Sequence, residues 1–382
     1  MNKKLYALKL KLADFDQEKR VGAIKFILLA ALFIGIMLSY NLWLTESIYF
    51  PLTPLFDFFP GLIQPFDHIL LYIIILLIAV GFVYPFNFLL NISLFILLLI
   101  LAFLDINRFQ PWVYQYLLML LAFSSMTKKQ GPAFLIPALQ LLLCGIFFWS
   151  GIFKFNHLYF SQVVNRFSES MGNNVIVYGI GLLIPVLELF TAIGLLVRKS
   201  RKIAIFTAFF IHFFYLLVTG PLGSNTNTVL WPWNTAMPLF VFFLFTGEHL
   251  YFSQNLKGFF QLNITRAILL LAWIIPIFNL FNLWPAYTSF NLYSGNTNNG
   301  SIYISDQTKS MLPEKIGKLV KNNALEIKEW SMEEMNVPAF PEKKVFLSAR
   351  NFIYNYAADS TEVVLYYRPK THLIGNPQAE FY

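Results

Sequence analysis

The chain has 382 residues, of which 57% are hydrophobic and only 13% charged, with a formal net charge of +8. A soluble domain would carry about a quarter charged residues, so the composition excludes a soluble globular protein and points to an integral membrane protein. The basic excess does not imply nucleic acid, because most lysines and arginines flank apolar runs, where they set topology and meet anionic lipid headgroups.

Residues 1–20 carry Lys3, Lys4, Lys9, Lys11, Lys19 and Arg20 between apolar positions, as a cytoplasmic interfacial segment does. No cleaved signal peptide is expected: the following apolar run is too long, and no Ala-x-Ala site follows it. Apolar runs then predict nine spans, at about 21–44, 68–83, 86–104, 111–126, 133–154, 174–197, 202–219, 228–246 and 266–284. The second and third form one run too long for a single crossing, and Tyr84-Pro85 splits it into a hairpin. From residue 287 charges return. Residues 300–306 (GSIYISD) and 361–368 (TEVVLYYR) predict strands, and 313–322 and 341–356 predict helices. The expected architecture is an all-α polytopic membrane bundle of about nine helices (21–286), with a small α+β domain at 287–382.

Loop charges orient the bundle. With the N-terminus inside, one set of loops and their adjoining residues holds fifteen lysines and arginines, and the other set holds Arg108, Lys154 and Arg166. That bias predicts an N-in/C-out topology and an extracytoplasmic C-terminal domain. The expected location is a bacterial cytoplasmic (inner) membrane.

Cys144 is the single cysteine, so no intrachain disulfide and no Cys-x-x-Cys pair can form. The five histidines show neither His-x-x-x-His nor His-Glu-x-x-His spacing, and no metal site is signalled.

The polar residues of interest gather towards the outer ends of the spans. They include Asp105, Asn107, Arg108, Gln110, Trp112 and Gln115, then Trp149, Lys154, Asn156 and His157, then Trp231, Trp233 and Asn234. An outward-opening cavity is the simplest account. Lys154 ends the uncharged run 133–153: either its stem snorkels to the headgroups, or it faces a cavity and acts as a base. Glu188 and His212 lie deep in their spans, where an ionisable group is either functional or a hydrogen-bonded lock between helices. Ala208, His212, Tyr215 and Thr219 share one helix face; Gly181, Pro185, Glu188 and Thr191 form a comparable stripe. If the stripes face each other, Glu188 meets His212.

Residues 140–162 (QLLLCGIFFWSGIFKFNHLYFSQ) carry Gly151-x-x-Lys154 at a span end, followed by an aromatic residue and a loop. Residues 105–123 precede them, and Pro185-Val-Leu-Glu188 and Ile211-His212-Phe213 follow. This order resembles the vitamin K-dependent γ-carboxylase family and its bacterial relatives, the HTTM (horizontally transferred transmembrane) domain proteins, with a fainter DoxX-like resemblance. The resemblance implies Lys154 as the base that deprotonates a reduced quinone, His212 as a pocket residue, and a quinone cofactor of the vitamin K or menaquinone type. The sequence departs from the carboxylase pattern at Trp112, which stands where those enzymes carry a histidine.

Two functions are thus expected. One is a quinone-linked membrane enzyme, carboxylase-like or an oxidoreductase. Its catalytic residues would be Lys154 and His212, and Trp112, Gln115, Trp149, Glu188, Tyr215, Trp231 and Asn234 would bind a quinone or other isoprenoid lipid. The other is a non-enzymatic assembly or anchoring subunit whose outer domain binds a periplasmic or extracytoplasmic protein or peptide. Membrane lipids are expected partners in both.

Overall fold

The structure, a computed structural model, describes residues 3–45, 50–59, 64–125, 132–246, 263–373, 375 and 377–382. Of the expected loops 127–132 and 247–265, residues 127–131 and 247–262 lie outside the described residues. Apolar runs form helices because hydrocarbon offers backbone N–H and C=O groups no alternative partner. Among the described residues, six helices are long and apolar enough to cross a membrane. These are in α1 (Lys3–Leu38), α2 (Phe66–Val83), α5 (Pro132–Phe153), α7 (Val175–Leu196), α8 (Arg201–Thr219) and the helical stretch that α10 (Asn263–Leu269) begins and that runs to Phe281. The apolar helices α3 (Phe88–Leu104), α4 (Pro111–Ser124) and α9 (Leu230–Phe245) are shorter, and α6 (Val164–Glu169) is a brief connecting helix. The chain is an integral membrane protein.

Local chemistry sets several of these ends. The chain turns between α2 and α3 where the hairpin was expected, and the Asn87 side chain accepts from the Leu90 N–H to start α3. Asn174 caps α7 in the same way, accepting from Ile176 and Val177. Pro111 opens α4, where a missing N–H costs nothing. Pro276 interrupts the last span: a π-turn at Leu270–Ile274 passes into 3-10 turns at Ile275–Phe281.

Two boundaries differ from expectation. No break separates an N-terminal segment from span one, because residues 3–20 contain helix-forming Leu, Lys, Ala, Gln and Glu and neither Gly nor Pro. The helix also stops at Leu38, not 44, with Tyr40–Trp43 turning as a 3-10 segment.

α5 is the central helix. It packs most extensively on α7 and also touches α1, α4, α9 and α10, and its described side chains from Leu135 to Cys144 are all buried. α2 instead exposes Ile69, Tyr72, Ile73, Leu76 and Val80 along one side, as a lipid-facing helix does.

After the last span, the chain builds an antiparallel four-stranded sheet in the order β2-β1-β3-β4. Its strands are β1 (Asn299–Ile304), β2 (Ala324–Glu326), β3 (Val363–Arg368) and β4 (Glu380–Phe381). Ile302 pairs with Leu325 on one side and Leu365 on the other, and all three are fully buried. Two short helices, α11 (Asp306–Met311) and α12 (Glu314–Gly317), follow β1, and the sheet packs against α13 (Ile327–Met335) and α14 (Lys343–Tyr354). The helix expected over 313–322 is therefore a single turn, since Gly317 and the paired asparagines 322–323 break the pattern. α13 and the two outer strands were not expected.

This unit is bolted to one end of the bundle. Phe340 N–H donates to Asn107 Oδ1 (3.0 Å), Gln110 Nε2 to the Pro338 carbonyl (3.0 Å) and Asn336 Nδ2 to the Leu38 carbonyl (2.8 Å). Asp105, Asn107, Arg108 and Gln110, expected at a polar mouth, are instead buried in this joint. Asp105 Oδ1 gathers the Thr53 and Asn107 N–H groups, and Arg108 donates to the Leu42 and Leu101 carbonyls.

Candidate functional site

The site lies at the capped end of the bundle, where α5, α7, α8 and α9 converge. Gly151 lets α5 approach α7 closely: a Cβ there would stand 3.0 Å from both Leu189 Cγ and the Pro185 carbonyl oxygen. Three residues on, Lys154 follows the last turn of α5. Helical side chains lean towards the N-terminus, and Lys154 folds back in that sense onto Ser150. Its side chain is fully buried, so the ammonium faces the interior and does not snorkel to headgroups.

Lys154 Nζ meets Glu188 Oε2 at 2.8 Å and Oε1 at 3.1 Å, and it donates to the Ser150 Oγ (2.6 Å) and carbonyl (3.1 Å). Glu188 Oε1 also accepts from Ser150 Oγ (3.1 Å) and from the Tyr215 hydroxyl (3.0 Å). One buried carboxylate thus ties α5, α7 and α8 together. Taking two such charges out of water is costly, and only a geometry with several added hydrogen bonds offsets it.

His212 belongs to the same locality but not to this network. Its Nδ1 lies 2.9 Å from Asn234 Oδ1, while Asn234 Nδ2 donates to the Leu230 carbonyl. Since the amide nitrogen is spent on a carbonyl, its oxygen faces the ring and His212 Nδ1 carries the proton. His212 Nε2 is buried without a protein partner among the described residues. The expected inward stripes are both buried, but Glu188 and His212 do not bond each other: they line one small cavity, with Tyr215 and Asn234 beside them. Its volume is about 20 Å³, more than the ~10–15 Å³ that one water needs but far less than an aromatic ring, so the ring of a quinone does not fit.

The remaining expected residues divide. Gln115 accepts from Trp233 Nε1 (2.8 Å), placing it one residue behind the cavity wall. Trp149 stacks on Phe153 at 5.5 Å. Trp112 sits fully buried against Trp43 and Tyr116 and over Gly35, remote from the cavity lining. Trp231 is half-buried and donates to the Thr219 carbonyl. Trp112, Trp149 and Trp231 therefore do not form one ring-binding mouth. Sequence reasoning overlooked Ser150 and Tyr293 as site residues and placed Trp233 only in the outer polar-aromatic cluster. Ser150 carried a signal, lying one turn before the lysine; Tyr293 carried none, since it reaches the cavity from the segment beyond the last span.

Residues 132–229 match the model of a family described as methylamine utilisation protein MauE. No curated protein and no solved structure matches the chain. The match corrects the resemblance drawn from residues 140–162, Glu188 and His212: that segment falls within the MauE match, and neither the HTTM and γ-carboxylase relation nor the DoxX-like one is upheld. The geometry agrees with the correction, because Lys154 is locked to a carboxylate instead of standing free beside a cofactor space.

Proposed function

We propose that this chain is a polytopic protein of a bacterial cytoplasmic membrane, acting as the membrane component of a small-amine utilisation system of the methylamine type. Its proton-handling centre is Lys154–Glu188 with His212 adjoining. The observation that carries this reading is a coincidence of position. The segment matching MauE spans α5 to α8, and it contains Ser150, Lys154, Glu188, His212 and Tyr215, every member of the buried network except the Asn234 support.

The chemistry available is proton transfer. Across 2.8 Å, a proton shared between Lys154 Nζ and Glu188 Oε2 converts an ion pair into a neutral pair, and the low-dielectric setting narrows the gap between the two. Tyr215 and Ser150 hold the carboxylate in place during that exchange. We place nine crossings with the N-terminus inside and residues 287–382 outside, on the positive-inside bias of the loops. A periplasmic protein or peptide is then the natural partner of the outer domain. A quinone or other isoprenoid headgroup enters only if the cavity widens, so no step is assigned to it; lipid extraction and mass spectrometry of the purified protein test for it directly.

Infrared difference spectroscopy on proteoliposomes tests the centre. A carboxyl band that responds to pH, is lost in Glu188→Gln and is displaced in Lys154→Met, is expected. A Glu188 band that stays silent throughout rules the proton-handling role out.

One observation favours a second reading, the non-enzymatic assembly or anchoring subunit. Every donor of Lys154 is already engaged, so the pair serves equally well as a lock between α5 and α7. Under that reading Lys154→Met/Glu188→Met keeps full biological activity; under the first it abolishes activity.

A further inference from the structure

The atom with unspent bonding capacity at this site is His212 Nε2, not Lys154 Nζ. Nδ1 donates to Asn234, so Nε2 of the neutral ring presents a lone pair, and it is buried without a protein partner among the described residues. The Tyr293 hydroxyl is a second buried group: it lies near the Asn234 side chain but outside hydrogen-bond geometry, and both residues line the same cavity as His212. A buried acceptor and a buried donor left unpaired each carry an uncompensated desolvation cost, a standing incentive for a ligand that satisfies both. The rest of the wall combines apolar Ile146, Phe147, Met237 and Leu292 with Ser150, Glu188 and Tyr215, which bond to one another, and Trp233, which donates to Gln115. Water typically makes about three hydrogen bonds when buried, and among the described residues this wall offers two unpartnered groups beside polar groups already engaged with one another.

The segment that delivers Tyr293 is strained. Phe290 and Tyr293 adopt positive φ (58° and 52°), a region bulky residues seldom occupy. Surrounding contacts hold them there: Tyr293 stacks on Tyr215 at 4.5 Å between ring centres, and Asn156 Nδ2 pins the Ser294 carbonyl at 3.0 Å.

We propose that this cavity is a binding site for one short neutral amine or alcohol, with Tyr293 as its closing side chain. The ligand's N–H or O–H donates to His212 Nε2, its lone pair accepts from the Tyr293 hydroxyl, and its carbon tail lies against Phe147 and Met237. The proposal rests on the small-amine reading of the function and names the atoms that recognise the ligand.

The test uses the full chain in lipid, with histidine labelled by ¹⁵N in the ring and the His212 signals assigned through His212→Gln. Methylamine at alkaline pH and methanol are the two probes. A saturable upfield movement of the Nε2 resonance with either supports the site, and the probe that produces it identifies the head group. The movement is expected to vanish in Ile146→Phe, which fills the cavity from α5. Tyr293→Phe keeps the ring but removes the donor, and is expected to weaken binding while leaving the fold intact. No saturable movement with either probe, or the same movement in wild type and Ile146→Phe, overturns the proposal. The Glu188 carboxyl band is read independently, so a failure here is distinct from a failure of the proton-handling reading.

Discussion

Glu188 concentrates more of the site's energy than any other side chain, because one carboxylate accepts from Lys154, Ser150 and Tyr215 on two other helices. Deleting either charge of a buried pair strands the other, at a cost of about 3–5 kcal/mol, whereas replacing both with apolar groups of similar volume is often neutral. Lys154→Met and Glu188→Gln are therefore each expected to lower stability by an amount of that order in reversible unfolding from mixed micelles. Lys154→Met/Glu188→Met should lose much less than the two single changes together. Additive losses would mean the pair is not coupled. The sequence made Lys154 and Glu188 visible as misplaced charges in apolar runs, yet it could not pair them. It suggested Glu188 with His212, at matched depth. The actual partner depends on the rotamer of Lys154, which reaches back one turn to Ser150, and a side chain's direction is not written in spacing alone.

The approach of α5 to α7 sets whether that pair can form, and Gly151 governs the approach. A side chain there meets the Pro185 carbonyl, which a helix backbone cannot readily move, and Leu189. Gly151→Val is expected to cost about 1–3 kcal/mol through overpacking and to lengthen the Lys154–Glu188 contact, seen as a shifted Glu188 carboxyl band. Gly179 provides a contrast on α7, since a Cβ there meets nothing within 4 Å. Gly179→Ala should stabilise by about 0.5–1 kcal/mol through helix propensity. If both glycines respond alike, close packing is not what distinguishes them. Elements themselves were legible: long apolar runs and the Tyr84-Pro85 break marked helices that formed. The short strands β2 and β4 were not, because three or two residues carry no periodicity and exist only through pairing with β1 and β3.

At the scale of the whole molecule, the C-terminal unit and the bundle are joined through buried polar groups, and two of them titrate near neutrality. Burial raises the Glu342 carboxyl to about 7 against the pull of nearby Lys370, and burial lowers Lys370 to about 8 against the pull of Glu342. Lys370 also donates to the Asn279 carbonyl at the end of the last span, so this pair sits at the joint itself. A carboxyl raised from its usual 4.5 contributes stability that is complete below pH 4.5 and is lost as pH rises through about 7. An amine lowered from 10.5 contributes stability that is complete above pH 10.5 and is lost as pH falls through about 8. The two limbs meet, and the joint should be weakest between about pH 7 and 8. Hydrogen-exchange protection factors for β1 and β3 amides in the full chain, measured from pH 4 to 10, should trace a minimum in that window. Glu342→Gln should flatten the acid limb alone and Lys370→Met the alkaline limb alone. Protection that is flat across the range would show that docking of the C-terminal unit leaves both groups as free to ionise as they are in the unfolded chain, and a maximum in place of the minimum would show that the joint favours both charged forms.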